Sequence, residues 1–388
     1  MTATLPALSA IEMAHEAELV ALLRDEVRAA GGVLSFARFM ALALYAPGLG
    51  YYTAGAQKLG EGGDFVTAPE ISPVFGRCLA TQAGDVLGAL GGGDILEIGP
   101  GTGALAEQML GELARAGQLP RQYRLLETSA DLRQRQQQRL TPLGTALGVR
   151  LEWLDGLPTQ SFRGLVVANE VLDALPVERF RITAEGVEAM GVALQGSDFC
   201  WRPVAASTAL VEAVAQLGLV LPPGFVGERC PSLSAWVSTV TAPLSAGGVV
   251  LIDYGASRDE LYRADRTDGT LSCFFRHRQH QDPFTRIGLQ DLTAWVDFTA
   301  VADAALAAGL DVAGFTTQAM FLLANDFDRH LTALREASPA EEDVRIVHAA
   351  RRLVLPTDMG ERFKCLLLTR GLHAPLRGLS LRDFTHTL

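Results

Sequence analysis

The chain has 388 residues, enough to bury a large core in one or two domains, and its 48% hydrophobic and 20% charged residues fit an ordinary globular protein. A formal net charge of −11 argues against a binder that tracks nucleic-acid phosphates with a basic face, and suits a cationic substrate better. Cys78, Cys200, Cys230, Cys273 and Cys365 are odd in number and far apart, with no C-x-x-C pair, so neither a metal site nor a disulfide framework is expected. The N-terminal stretch carries Glu12, Glu16, Glu18, Asp25 and Glu26, unlike a signal or transit peptide, and no uncharged apolar run reaches membrane-spanning length. A cytoplasmic protein without membrane insertion is the expectation.

Glu18–Ala30 alternates apolar and charged residues at helical spacing and stops at Gly31–Gly32. Ser35 caps a second predicted helix, Phe36–Tyr45, which ends before Pro47. Loop signals run from Gly48 to Pro73, and Pro73–Leu90 is helical again, closed by Gly91–Gly93. Residues 1–91 therefore form a predicted helical extension carrying a loop, and 92–388 the core. In the core, strands are predicted at Ile95–Ile98, Tyr123–Leu126, Arg150–Trp153, Gly164–Ala168 and Gly248–Ile252, with helices near Ala104–Ala116 and Asp131–Leu140. Residues 177–247 are too many for one crossover helix. Arg179–Thr183, Val187–Leu194 and Phe199–Pro203 alternate with period two, predicting an inserted antiparallel meander, and Thr208–Leu217 and Leu233–Thr241 look helical. The stretch 265–290 is polar and rich in arginine and histidine, and reads as a long functional loop. A helix over Asp291–Ala308 and strands at Val312–Thr316 and Phe363–Thr369 complete the core.

The most informative segment is DILEIGPGTG, Asp94–Gly103: an apolar strand, an acid, then glycines at alternate positions before a helix. Such a strand–turn–helix corner brings helix N-terminal amides to a bound cofactor, and glycines let that cofactor approach the backbone. Gly99, Gly101 and Ala104 formally satisfy a nicotinamide fingerprint. The tighter spacing of Gly99, Gly101 and Gly103 behind Glu97 resembles the first motif of S-adenosylmethionine-dependent methyltransferases instead. Charge separates the two, because an acid at Glu97 repels a pyrophosphate but tolerates an ammonium and a sulfonium.

Several further segments resemble the MidA-like proteins, the complex I assembly methyltransferases of mitochondria and their bacterial relatives. They are Gly50-Tyr51-Tyr52, GDFVTAPEISPVFG (Gly63–Gly76), LEIGPGTG (Leu96–Gly103), NEVLDALPV (Asn169–Val177), IDYG (Ile252–Gly255) and the run from Gly269 to Phe298. The resemblance implies an α/β fold: a seven-stranded, Rossmann-like class I methyltransferase sheet with the N-terminal extension and the inserted meander. It also implies S-adenosyl-L-methionine as cofactor and protein arginine N-methylation as activity, acting in the mitochondrial members on an NADH dehydrogenase subunit. The chain reads as a bacterial member. A cofactor-binding assembly factor with little turnover and a small-molecule methyltransferase are the alternatives. A homodimer is left open.

Within that frame Gly99, Gly101 and Gly103 are expected against the cofactor, a ligand-free tight turn being the plain alternative. Glu97 is expected on the amino or sulfonium side, Glu127 on both ribose hydroxyls, and Asp155 near the adenine amine, where it could equally be a turn residue. Asn169 lines the same site. Glu170 and Asp173, after the fourth predicted strand, are the expected clamp for the acceptor. A guanidinium offers five donors in a plane and carboxylates are its natural partners. An N-cap for Asp173 and an internal ion pair for Glu170 are the bland readings. Asp64, Thr67, Glu70 and Ser72 form an expected lid, Thr67 and Glu70 being counted with the cofactor site, although all four could simply form turns. Tyr51 and Tyr52 are stacking candidates or packing. His277, with Arg276, Asp291 and Asp297, makes a third group. His277 is carried as a catalytic candidate against the reading of a solvated loop histidine.

Overall fold

The computed structural model describes residues 5–54 and 66–388. The chain divides into two compact units, each built from three separate stretches. One, here the sheet unit, comprises Val66–Val171, Ser234–Ala256 and Asp297–Leu388; the other, the accessory unit, comprises Met1–Phe65, Leu172–Leu233 and Ser257–Val296. Where the sequence suggests one boundary near residue 91, the chain instead passes repeatedly from unit to unit. The helix Val74–Leu90, expected in the extension, packs into the core of the sheet unit through Phe75, Leu79, Val86 and Leu87.

The sheet unit is built on strands β1 (Asp94–Ile98), β2 (Gln122–Leu126), β3 (Arg150–Leu154), β4 (Phe162–Asn169), β5 (Leu244–Ala256), β6 (Asp311–Thr317) and β7 (Phe363–Arg370). They lie in the order β6-β7-β5-β4-β1-β2-β3. All neighbours pair in parallel except β7, which runs antiparallel to both β5 and β6. β1 is buried along its whole length, as a parallel strand covered on both faces must be. The chain leaves β1 toward β2 and β3 and then returns to the other side of β1 as β4. That makes the β1/β4 junction the switch point, where open α/β sheets bind ligands beyond the carboxyl ends of their strands.

Close backbone approach fixes two glycines at the opposite end of these strands. A Cβ on Gly164 would stand 1.8 Å from the Asp94 carbonyl oxygen, and one on Gly247 would stand 1.8 Å from the Gly164 carbonyl oxygen. Both have positive φ, +152° and +142°. Gly164→Ala is expected to destabilise the fold by about 3 kcal/mol, through forced backbone separation and strain. Urea unfolding of the two proteins measures it, and an unchanged midpoint would show that the strands can part at no cost.

The accessory unit has its own core, centred on Leu19, Leu23, Phe36, Phe39, Tyr51 and Val192. Its first helix begins earlier than periodicity suggests, at Ala10, because Ser9 and Glu12 form a reciprocal capping box. The expected meander is present as Glu178–Ile182, Val187–Gln195 and Asp198–Ala205, antiparallel, with Val226–Arg229 added beside Glu178–Ile182 and Val33–Leu34 pairing with Val192 and Ala193 of the middle strand. The stretch 265–290 is not wholly loop. Ser272–Phe275 is a strand with Ser272, Cys273 and Phe275 buried, paired with Arg278–His280 and Asp291–Thr293. The helix expected from Asp291 accordingly starts only at Phe298, where the Asp297 side chain accepts from the Ala300 amide as its cap.

Candidate active site

The turn that leaves β1 carries three residues of positive φ: Gly99 at +64°, Gly101 at +55° and Gly103 at +82°. Only glycine adopts these readily. The Gly99 amide donates to the Leu126 carbonyl at the end of β2 (3.1 Å), which pins the turn to the sheet. A Cβ on Gly99 would stand 2.9 Å from Val171 Cγ2, so the turn beyond β1 and the segment beyond β4 lie in direct contact. Gly103 is the N-cap of the helix Ala104–Arg115 and has no side chain to cover its first amides.

Two carboxylates lie under this turn. Glu97 is only 2% exposed and accepts from the Tyr123 hydroxyl at 2.7 Å. Burial pushes its carboxyl up to about 7; the Tyr123 hydrogen bond opposes this and the Glu127 charge adds to it. Glu127, just past β2, is also buried. Its Oε1 accepts from the Ser129 amide (2.7 Å) and its Oε2 from Gln136 Nε2 (3.1 Å). Burial raises this carboxyl too, against those hydrogen bonds. Gln136 is a residue that sequence reasoning passed over. Its Nε2 also donates to the Gly101 carbonyl (2.7 Å), and its Oε1 accepts from Trp153 Nε1 (3.1 Å), so one amide ties glycine turn, carboxylate and β3 together. The available signal was its place four residues before Leu140, on the buried face of the helix Ala130–Leu147. That helix runs beyond the expected end through Pro142, because Leu143 and Leu147 pack against the core.

Thr67–Ser72 is built around a short helix, Ala68–Ile71. The Glu70 carboxylate accepts from the Thr102 hydroxyl of the glycine turn, and Gln108 donates to the Pro69 carbonyl at 2.8 Å. Glu70 thus braces the turn through Thr102, and Thr67 stands at the helix start without a side-chain cap bond. Asp64 of the expected lid lies outside the described residues.

Glu170, the first residue past β4, has φ +55°, an uncommon value for a residue with a side chain. Its Oε1 accepts from the Ala68 amide (3.1 Å) and from Asn169 Nδ2 (2.9 Å). Among the described residues none donates to Oε2. Burial pushes this carboxyl up to about 7, against the two hydrogen bonds. Asn169 Oδ1 is buried and finds no hydrogen-bond partner among the described residues.

The other sequence-selected residues have surroundings of their own. The Asp155 side chain is 92% exposed and ion-paired with Arg133 at 2.7 Å, so it lies on the surface as a turn residue. Asp173 belongs to the accessory unit, buried near Tyr45, Tyr52 and Asp291. There Tyr52 donates to Asp291 (3.0 Å), Tyr45 donates to the Ala174 carbonyl (2.9 Å), and the two rings stack at 5.5 Å. Burial, then the charges of Asp291 and Asp173, push both phenols up. Tyr51 is fully buried packing. His277 is also in the accessory unit. With Arg276 it forms the exposed two-residue turn between Ser272–Phe275 and Arg278–His280, both residues having positive φ, as the favoured hairpin turns require. Its surroundings account for it as a turn former.

Comparison with known proteins bears on this geometry. A family profile described as "Putative S-adenosyl-L-methionine-dependent methyltransferase" matches residues 78–316. A crystal structure from Burkholderia thailandensis, bound to S-adenosyl-homocysteine, is 39% identical with a TM-score of 0.94, covering 99% of this chain and 100% of that one. The zebrafish (Danio rerio) relative "Protein arginine methyltransferase NDUFAF7, mitochondrial" is 29% identical over 86% of this chain and 83% of its own length. The human protein of that name is 29% identical over 87% and 80%.

Proposed function

The chain belongs to the S-adenosyl-L-methionine-dependent methyltransferases, and from that premise we propose that it methylates an arginine side chain of a protein. The cofactor excludes the nicotinamide alternative. Bound, it supplies a methyl group already activated on a sulfonium.

The residues present suit that cofactor. The open glycine turn would take its backbone-facing side, and Gly99, Gly101 and Gly103 with the helix start would receive its carboxylate. Glu127 accepts from the Ser129 amide and from Gln136, and a carboxylate accepts about four hydrogen bonds, so it would still have capacity for the ribose. Asn169 Oδ1 is a buried acceptor in want of a donor, which an ammonium would provide. Glu97 would offset the cationic end from below the turn. Thr67 and Glu70 would act from the side, Glu70 through Thr102.

The observation that carries the choice of acceptor is the Glu170 carboxyl, oriented through Oε1 with Oε2 unclaimed by the described residues. A guanidinium is cationic and delocalised at neutral pH. Oε2 would take an N–H of the incoming nitrogen, localise the charge there and accept the proton as the N–methyl bond forms and the methyl–sulfur bond breaks, which would leave a neutral sulfide. Alignment of that nitrogen with the methyl group can supply about 7–11 kcal/mol of the barrier reduction. The names of the mitochondrial relatives support arginine as the acceptor, and a respiratory-complex subunit is the first substrate to look for.

The test is methyl transfer from labelled S-adenosyl-L-methionine into a lysate from cells lacking this chain, with Glu170→Gln and Asp173→Asn as controls. A discrete labelled protein, with label mapping to arginine and lost in Glu170→Gln, is the expected result. Label on another residue overturns arginine as acceptor. No protein label from a chain that binds the cofactor points to a small molecule or an assembly role.

A further inference from the structure

Glu170 bears a side chain yet stands in a left-handed conformation, which its neighbours must hold in place. β4 and β5 pair in parallel up to Asn169 opposite Ile252. Beyond that pair the ladder ends, and two bonds take its place. The Glu170 amide donates to the Ile252 carbonyl at 2.9 Å, and the Val171 amide donates to Asp253 Oδ2 at 3.1 Å. The other oxygen of the same carboxylate, Asp253 Oδ1, accepts from the Tyr254 amide at 2.9 Å. Asp253 is 0% exposed. Burying a carboxylate is costly unless hydrogen bonds compensate it, so a purely structural strand position would favour an apolar residue, as the flanking Leu251 and Ile252 illustrate.

We propose that Asp253 is a positioning residue: its carboxylate clamps the Val171 amide and so holds Glu170 at φ +55°, with its carboxyl beside Ala68 and Asn169. The same clamp sets Val171 against Gly99 and so couples the end of β5 to the glycine turn. The inference rests on the proposed role of Glu170, because the turn matters to turnover only if that carboxyl does.

The experiment compares Asp253→Asn, Glu170→Gln and the double variant with the unaltered full chain. Three quantities are read: labelled methyl transfer into the lysate, S-adenosyl-homocysteine binding by calorimetry, and hydrogen exchange at the 170–171 amides. Asparagine keeps the size and one acceptor but cannot accept from both amides. Asp253→Asn is expected to lower kcat by about 10- to 100-fold, as misplacement of a reacting group does, with the change in KM much smaller. Faster exchange is expected at 170–171 and not across β4 and β5. In the double variant the two losses should fall well short of multiplying, since both act through one carboxyl. Unchanged exchange at 170–171, or losses that multiply, would overturn the positioning role even if Glu170→Gln is inactive. Full turnover in Glu170→Gln would overturn the role of Glu170 and this inference with it. If Asp253→Asn unfolds, Asp253→Glu, which keeps both acceptors on a longer stem, must recover folding with displaced 170–171 exchange; recovery with native exchange counts against the clamp.

Discussion

Glu170→Gln is expected to lower kcat by about 10²–10⁴-fold, the range that a positioned proton acceptor contributes, with cofactor affinity changed far less. Glutamine has nearly the same shape and its amide oxygen can still accept from Ala68 and Asn169, so the local hydrogen bonds survive. What is lost is the charge that localises a guanidinium and the lone pair that takes its proton. The same variant carries an internal control in its stability. Burial raises the Glu170 carboxyl to about 7, above its unfolded value, so folding is favoured while the group is protonated, and that contribution disappears as pH rises through about 7. Glu170→Gln should therefore unfold no more easily than the unaltered chain above pH 7, and kcat loss cannot be ascribed to a damaged fold. Rate and urea midpoint measured together at pH 8 decide the matter. Turnover within twofold or so of the unaltered chain, at equal cofactor affinity, would remove Glu170 from the chemistry, since a group worth about one kcal/mol or less is no proton acceptor.

The sheet was legible because its strands are continuous apolar runs ended by polar residues, and its corner because glycine at 99, 101 and 103 has few uses other than positive φ. Three helices of the sheet unit, Gln318–Ala324, Phe327–Glu336 and Asp343–Val354, escaped notice. They lie in a stretch with no turn glycine, where short amphipathic helices follow one another and only Asn325–Asp326 and Pro339 mark the breaks. The strand Ser272–Phe275 was hidden differently: four residues are too few for a period to show, and the surrounding arginines and histidines gave the whole stretch a loop's composition.

For the candidate site, the sequence pointed to acids and not to the residues that hold them. Glu97 lies next to last in its strand, and Glu127 and Glu170 directly follow theirs, positions that a strand pattern makes visible. Gln136, which joins Glu127 to the glycine turn, stands among glutamines and arginines that are mostly on the surface, and only folding shows which of them turns inward. His277 is a different case. A histidine in a polar segment suggested chemistry, whereas its positive φ beside Arg276 belongs to a tight hairpin. Asp155 also follows a strand, and its side chain leaves the sheet toward solvent and Arg133.

Cofactor binding is expected to expel a proton near neutral pH, and the source is Glu97. In the free protein burial holds this carboxyl up at about 7, so at pH 6 it is largely protonated. The cofactor brings an ammonium, a sulfonium and one carboxylate, a net positive charge over the glycine turn. A positive charge favours the ionised acid, so the bound state has the lower pKa and releases the proton that the free state holds. Affinity should therefore climb as pH rises from about 5.5 and level off above 7, with a limiting slope of about tenfold per pH unit for one proton. The fold responds with the opposite sign. The raised carboxyl favours the folded state at pH below its unfolded value, and this contribution is lost as pH climbs through about 7, so the empty protein should be weakest where it binds best. Calorimetry at several pH values, in two buffers of different ionisation enthalpy, counts the protons directly. Glu97→Gln should flatten most of the climb. Because the amino group of the cofactor titrates identically against both proteins, the difference between them isolates Glu97. S-adenosyl-homocysteine has a neutral sulfide in place of the sulfonium and should release fewer protons than the cofactor. Equal pH slopes for Glu97→Gln and the unaltered chain would place the proton elsewhere, with Glu170, also held at about 7, the next carboxyl to replace.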